Sequence, residues 1–382
     1  MLKYIDELST KDLKGKKVLL RLDLNAPVGE GKVLDTFKLD RVIETVDFLR
    51  EKEAQIIIIS HCAGKESETL VPMWRYLNGL FPVEFSKTFF VAGAIAKLLN
   101  MKDKGVLMFE NLRINPGEKE NDREFAKKLS QMADIYVNDA FAECHRRYAS
   151  IVSVPKFLPH FGGLLLRQEI EHLSKVFNPK HPFVFILGGA KFDTKFPLIK
   201  KYLEKADLVF VAGAIANDFF KEKGFEIGVS LLSETDLGIK DVLNNPKIVL
   251  PIDVTVRKPD GTSEYKTPDA VLPDEYIADI GPKTLDQLKE LIFKSKTVVW
   301  NGPLGKYKKG FRDMSEKLAE IIANKTSEAG AMTVSIIGGG DTIASINMKK
   351  LNHKFSFIST GGGAMLDYLV NETLPGLGAL DK

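Results

Sequence analysis

Cysteine is nearly absent from this 382-residue chain, which has Cys62 and Cys144 and no other thiol. Two cysteines build no disulfide framework, so the fold must be held by its apolar core. Each lies beside a histidine, in His61-Cys62 and Cys144-His145, but the short ligand spacing of a structural zinc site is missing. Two thiols, buried or lining a cleft in a reducing compartment, is the better reading. An excess of one charge is lacking as well. Lys and Arg number 54 against 51 Asp and Glu, a formal net charge of +3, too small to argue for a nucleic-acid partner. No apolar run approaches the ~20 residues of a membrane helix, so no membrane association is expected. Residues 1–15 are too polar for a signal peptide, and a cytoplasmic location is expected.

What is present is an ordinary globular composition, 44% hydrophobic and 27% charged. The chain is longer than one core usually sustains, so two domains are expected. Strand-like apolar runs occur at 17–21, 55–60, 83–85, 106–109 and 135–138, separated by helical patterns at 38–52, 70–79, 91–101 and 122–132. After a helical stretch at about 163–177 the alternation restarts, with strands at 183–187, 208–212, 247–251, 297–300, 333–337 and 355–358. Repeated βα units with apolar strands indicate parallel sheets covered by helices on both faces. The expected fold class is therefore α/β, with two doubly wound parallel-sheet (Rossmann-like) domains joined by a helical hinge. Ligands of such sheets bind beyond the carboxyl ends of the strands, and most of the chain's unusual residues fall there.

Two glycine turns near the C-terminus are the most telling. The first reads Ile337-Gly338-Gly339-Gly340-Asp341-Thr342 and the second Thr360-Gly361-Gly362-Gly363-Ala364. Each follows an apolar run and precedes a helical stretch. Glycine lets the backbone approach an anion without Cβ interference, and a helix start presents unpaired N–H groups at a positive dipole end. Asp341 adds a hard oxygen ligand suited to Mg²⁺ beside phosphate oxygens. Together the turns point to a nucleotide-phosphate site. Earlier, a buried-type strand delivers Gly188-Gly189-Ala190-Lys191, with Lys195 four residues on, close enough for both ammonium groups to reach one phosphate chain. The Gly-x4-Gly-Lys-Ser/Thr spacing of a Walker loop is missing. Trp300-Asn301-Gly302-Pro303 ends another strand in a rigid turn that reads equally well as the wall of a base pocket or as a plain Gly-Pro turn.

In the first half, Asp23 and Asn25 alternate onto one face of an extended segment, placed to hold oxygens of a small polyol acid. A turn built from Asp, Asn and Pro is the competing reading. His61, Arg113 and the pair His145-Arg146 also stand at or after strand ends. Arginine binds phosphate bidentately, so such a cluster reads as an anion pocket.

In this order the segments 21–27, 60–61, 110–113, 136–141 with 145–146, 188–191 with 195, 279–282, 299–305, 336–342, 359–364 and 374–376 resemble the phosphoglycerate kinases. The resemblance implies Mg²⁺-dependent, reversible phosphoryl transfer between 1,3-bisphosphoglycerate and ADP, giving 3-phosphoglycerate and ATP. It implies a monomer with small-molecule partners only. A phosphoglycerate-binding domain would span 1–162, completed by a tail at 365–382, and a nucleotide-binding domain 163–364. Carried over by position, Asp23, Asn25, Lys38, His61, Arg113 and Arg146 would bind the acid. Lys191, Lys195, Gly213, Asn301, Pro303, Lys308, Gly338, Gly339, Gly340, Asp341 and Thr342 would bind the nucleotide. Asp341 would ligate the metal, and Lys38, Lys191, Gly339 and Gly362 would be catalytic. Domain closure would exclude water, with Gly162-Gly163 and the returning tail as hinges. No general base is needed, because a carboxylate is already ionised at neutral pH.

The chain also departs from the family. Lys38 stands where an arginine is expected, Gly64 replaces another with only Lys65 adjacent, and Lys308 replaces an acid expected to accept from ribose hydroxyls. Only Gly213 remains of a turn that is commonly richer in glycine. A non-catalytic, regulatory nucleotide-binding paralogue and a phosphotransferase for another carboxylate are the alternatives these changes leave open.

Overall fold

Apolar runs buried on both faces pair in parallel, and this organises most of the chain. The computed structural model describes residues 2–62, 69–190, 192–328, 330 and 332–381. The chain divides into one unit of 1–171 with 373–382 and a second of 172–372. In the first unit the strands are β1 (Lys17–Arg21), β2 (Val28–Gly29), β3 (Lys32–Val33), β4 (Gln55–Ile59), β5 (Glu84–Ser86), β6 (Val106–Phe109), β7 (Ile135–Asn138) and β8 (His160–Gly162). Six of them form one sheet in the order β5-β6-β4-β1-β7-β8, parallel throughout. The central strand β1 sets Leu19 between Ile57 and Tyr136, all three fully buried. Helices cover the strands by their apolar sides. The helix Arg123–Ser130, for example, buries Phe125, Ala126 and Leu129 and is capped by Asp122, whose carboxylate accepts from Phe125 N at 2.6 Å.

The long helix expected over 38–52 is two, Phe37–Arg41 and Ile43–Glu51. The short hairpin β2–β3 was not signalled by any alternating pattern. Its turn places Glu30 and Gly31 at φ 52° and 73°, the twist that joins antiparallel strands tightly. Residues 373–382 complete the first unit: the helix Pro375–Leu380 is anchored where Gly376 N donates to Cys144 O at 2.8 Å. Gly162 and Gly163 lie inside this unit, donating to Lys3 O at 2.8 Å and Asn138 O at 2.9 Å. The unit's continuous part ends at Glu171, within the helix Leu164–Leu173.

The second unit repeats the plan. Its strands are β9 (Phe183–Leu187), β10 (Leu208–Val211), β11 (Ile248–Val249), β12 (Val254–Arg257), β13 (Ser263–Lys266), β14 (Tyr276–Ile280), β15 (Thr297–Asn301), β16 (Val334–Gly338) and β17 (Phe357–Ile358). Six are parallel in the order β11-β10-β9-β15-β16-β17. The order reverses beside β9, which opens a crevice at the carboxyl ends of β9 and β15. An antiparallel sheet, β13-β12-β14, is additional to the expected alternation. The fold class is the expected one, two parallel-sheet α/β domains. Among the described residues no helix is long and apolar enough to cross a membrane.

Candidate active site

In the first unit the carboxyl ends of β1 and β4 are tied together. Ser60 Oγ donates to Leu22 O at 2.7 Å and accepts from Leu24 N at 3.0 Å. This fixes the chain that follows β1, where Asp23 turns inward and is buried. Asp23 Oδ1 accepts from Asn25 N at 3.1 Å, so the Asp-Asn turn does form. Its other oxygen meets Lys38 Nζ at 2.7 Å. Burial alone would push the Asp23 carboxyl up, but the Lys38 ammonium holds it below its ordinary value. Turn and charged site are thus the same structure. The ammonium of Lys38 pairs with Asp23 as a point charge, without the planar two-pronged fork an arginine would bring.

His61, Arg113 and Arg146 converge, and they converge on a side chain that the sequence did not single out. Glu143, at the end of the 3-10 turn Phe141–Glu143, accepts from His61 Nε2 at 3.1 Å through Oε1. Its Oε2 lies 2.8 Å from the Arg113 guanidinium and 3.7 Å from Arg146 Nε. Both guanidiniums also lie over the Tyr148 ring, at 5.4 and 5.7 Å. Behind them Arg21, fully buried on β1, points a guanidinium nitrogen at His61 Nδ1 at 3.3 Å and donates to Ser150 Oγ at 2.9 Å. A guanidinium cannot accept, so Nδ1 must, which puts the imidazole proton on Nε2 facing Glu143. Burial lowers the His61 pKa and Arg21 adds to this, against the Glu143 hydrogen bond; His61 is a neutral donor. Burial opposes ionisation of Glu143 too, yet the His61 hydrogen bond and the charges of Arg21 and Arg113 hold it well below the carboxylate range.

In the second unit a cavity of about 360 Å³ opens at the reversal of strand order. Lys195, Gly213, Asn301, Pro303 and Lys308 line it, as do Gly339, Gly340, Asp341, Thr342 and Gly362. Lys195 is on the first turn of the helix Phe192–Lys205 and is buried. Its Nζ donates to Gly188 O, at the end of β9, and lies 3.5 Å from Asn301 O, at the end of β15. An ammonium is thereby fixed at the reversal point. Gly339 caps the helix Gly340–Met348 with φ 101°, ψ 132°, a conformation open to glycine and strained for other residues. Gly362 caps the helix Gly363–Asn371 at φ 53°, ψ −115°, a different conformation but again one of positive φ that favours glycine. Both glycine turns therefore deliver helix N-termini to one cavity. Gly213 admits no side chain: a Cβ there would come within 2.4 Å of Gly189 N.

Other expected residues play quieter parts. Gly338 is the last residue of β16, paired with Asn301. Thr342 is fully buried and its hydroxyl accepts from Gly302 N at 2.8 Å, locking one helix start onto the Gly-Pro turn. Lys308 is 81% exposed and its Nζ lies 3.4 Å from Asp341 Oδ1. Lys191 lies outside the described residues, as do Gly64 and Lys65. Sequence reasoning missed Arg21, Glu143 and Asp279. Asp279 lines the cavity, and burial pushes its carboxyl up to about 8, with the Ile280 backbone hydrogen bond opposing and Asp313 assisting. Its signal was available, since 279–282 belongs to the matching segments.

Cys62 and Cys144 are buried free thiols, and burial raises Cys144 to about 12. That thiol is unreactive at neutral pH. Among the described residues no three His, Cys, Asp or Glu side chains converge as a metal cage. Asp341 alone suits a cation held mainly by a substrate's phosphates, because Mg²⁺ in nucleotide sites takes one or two carboxylates and fills its shell with phosphate and water.

The comparisons with known proteins agree along the whole length. The model of the family described as phosphoglycerate kinase matches residues 6–372. The phosphoglycerate kinase of Dictyoglomus turgidum is 38% identical, over 99% of this chain and 98% of its own. That of Thermosipho africanus is 38% identical, over 97% and 96%. Among solved structures, the Pyrococcus horikoshii enzyme superposes with a TM-score of 0.86 at 30% identity, over 100% of this chain and 98% of its own. The Coxiella burnetii enzyme gives 0.83 at 32%, over 100% and 99%. With a family model spanning nearly every residue and relatives matched end to end, the chain belongs to the phosphoglycerate kinase family.

Proposed function

We propose that the chain catalyses reversible phosphoryl transfer between the acyl phosphate of 1,3-bisphosphoglycerate and ADP, giving 3-phosphoglycerate and ATP. The observation that carries this is the cavity of the second unit, where Lys195, Asp341 and two glycine-capped helix N-termini meet. A nucleoside polyphosphate fits that chemistry: amides and an ammonium take the phosphate oxygens. Asp341 would hold Mg²⁺ against them, and the metal would supply charge neutralisation on the phosphates. In the first unit, Asp23, Asn25 and Lys38 would bind the glycerate end of the acid. His61, Arg113 and Arg146 would bind its remote phosphate. Lys38, Lys191, Gly339 and Gly362 are assigned to the transferring group.

The chemistry suits a site without a general base. A carboxylate oxygen forms its bond to phosphorus while the bond from phosphorus to the ADP oxygen breaks, and no proton has to move. What the chain supplies is position and positive charge. The competing readings differ in measurable ways. ADP formation from MgATP should saturate with 3-phosphoglycerate and not with hydroxy acids of other skeletons. ATP binding with no turnover for any acid would favour the regulatory reading, and turnover only with another acid the alternative phosphotransferase.

A further inference from the structure

The three side chains assigned to the remote phosphate already surround an anion. We propose that Glu143 is an internal counter-anion that sets substrate affinity and specificity on the acid-binding face, and that a phosphorylated acid must displace it to bind. This rests on the reading that His61, Arg113 and Arg146 hold the substrate's phosphate.

The geometry is that of a filled oxyanion site. One carboxylate oxygen accepts a hydrogen bond from His61 Nε2 at 3.1 Å, and the other lies 2.8 Å from Arg113 and 3.7 Å from Arg146. The cationic frame is built independently of the acid. Arg113 and Arg146 rest on Tyr148, and Arg21 orients His61 from behind. The pocket therefore keeps its shape when the carboxylate leaves. Its charge is another matter. With His61 neutral, the two guanidiniums in the pocket face one carboxylate and cancel to a single net positive charge there, with the buried Arg21 adding its charge only from behind His61, against a phosphate that carries close to two negative ones. Like charges cannot share the site, because repulsion at contact distance in a partly desolvated pocket is strong. The 3-10 turn holds Glu143 by one flexible side chain, so displacement needs rotation about its own bonds and no backbone rearrangement. A consequence for specificity follows. An acceptor with an uncharged distal end, such as glycerate itself, loses less from the presence of Glu143 than 3-phosphoglycerate does, so the chain discriminates weakly between the two.

The test compares the intact protein with Glu143→Gln and Glu143→Thr, each checked for folding by thermal melting. In both variants the KM for 3-phosphoglycerate is expected to fall roughly tenfold, the factor that one charge-assisted hydrogen bond is worth, while the KM for MgATP stays unchanged. The preference for 3-phosphoglycerate over glycerate should rise by a similar factor. The melting temperature of the variants should respond to 3-phosphoglycerate at lower concentrations than that of the parent. Arg113→Ala supplies the control, since it should raise the 3-phosphoglycerate KM with or without Glu143. An unchanged or higher KM in folded Glu143 variants, with Arg113→Ala behaving as expected, overturns the proposal and leaves the pocket assignment standing. No effect of Arg113→Ala in either background overturns the assignment and the proposal together.

Discussion

Asp279 shows how one buried carboxyl ties stability to pH. It is 5% exposed, its oxygen accepts from Ile280 N at 2.8 Å, and its pKa rises from 3.8 to about 8 on folding. A carboxyl raised on folding is bound to its proton in the native state over a range where the unfolded chain has released it. Its contribution to stability is therefore complete below about pH 4 and is lost as pH rises through 8. Replacement by asparagine keeps the acceptor and abolishes the ionisation. The melting temperature of Asp279→Asn relative to the parent should climb steadily between pH 4 and pH 8. A difference that stays flat across that range would show that the carboxyl does not titrate on folding. Glu143 is the opposite case: a buried acid whose neighbours keep it ionised. Neither behaviour was legible from residue type. Glu143 stands in a stretch rich in histidine and arginine, where an acid reads as an ordinary surface partner, and only the folded backbone reveals that three strand-end groups aim at it. His61 could be placed from sequence because β4 ends abruptly in polar residues, whereas Lys38, in the helix Phe37–Arg41, was placed only by the family resemblance.

At the level of elements, two glycine-capped helices line the cavity proposed to bind nucleotide, and their geometry is demanding. Gly339 holds φ 101°, ψ 132°, and a Cβ there would approach Thr342 Oγ1 to 3.3 Å. Gly339→Ala must distort the turn that aims the helix Gly340–Met348 at the cavity, at an expected cost of about 1–3 kcal/mol in stability. The KM for MgATP should rise while that for 3-phosphoglycerate is little changed, measured by steady-state kinetics beside a denaturant titration. An unchanged KM for MgATP would detach this helix start from nucleotide binding. The parallel strands were the readily legible elements, because runs such as Phe183–Leu187 and Thr297–Asn301 are buried at every position and cannot hide in a sequence. The antiparallel strand β13 could not be read that way. Its residues Ser263–Lys266 are largely exposed and polar, so its pairing with β12 is set by backbone hydrogen bonds that leave no hydrophobic signature. The break at Val42 in the expected long helix was equally silent, since Val42 is buried and continues the apolar stripe.

For the whole molecule, the resemblance read from scattered motifs is matched by a family model over residues 6–372 and by relatives of similar length. The residues proposed to handle phosphate in the second unit are present in the sequence, and the departures gather at the edges of recognition: Lys38, Gly64 and Lys308. Under the proposed function these changes alter affinity and selectivity while the transfer chemistry is retained. The most direct measurement is to trap the product. An acyl phosphate reacts with hydroxylamine to give a hydroxamate, whereas a phosphorylated hydroxyl does not. Incubated with 3-phosphoglycerate, MgATP and hydroxylamine, the protein should accumulate hydroxamate in step with ADP. Lys195→Ala should slow both by about a hundredfold, as expected for losing one fixed positive group at the transferring phosphoryl. ADP without hydroxamate, or neither product while ATP is bound, would contradict the account.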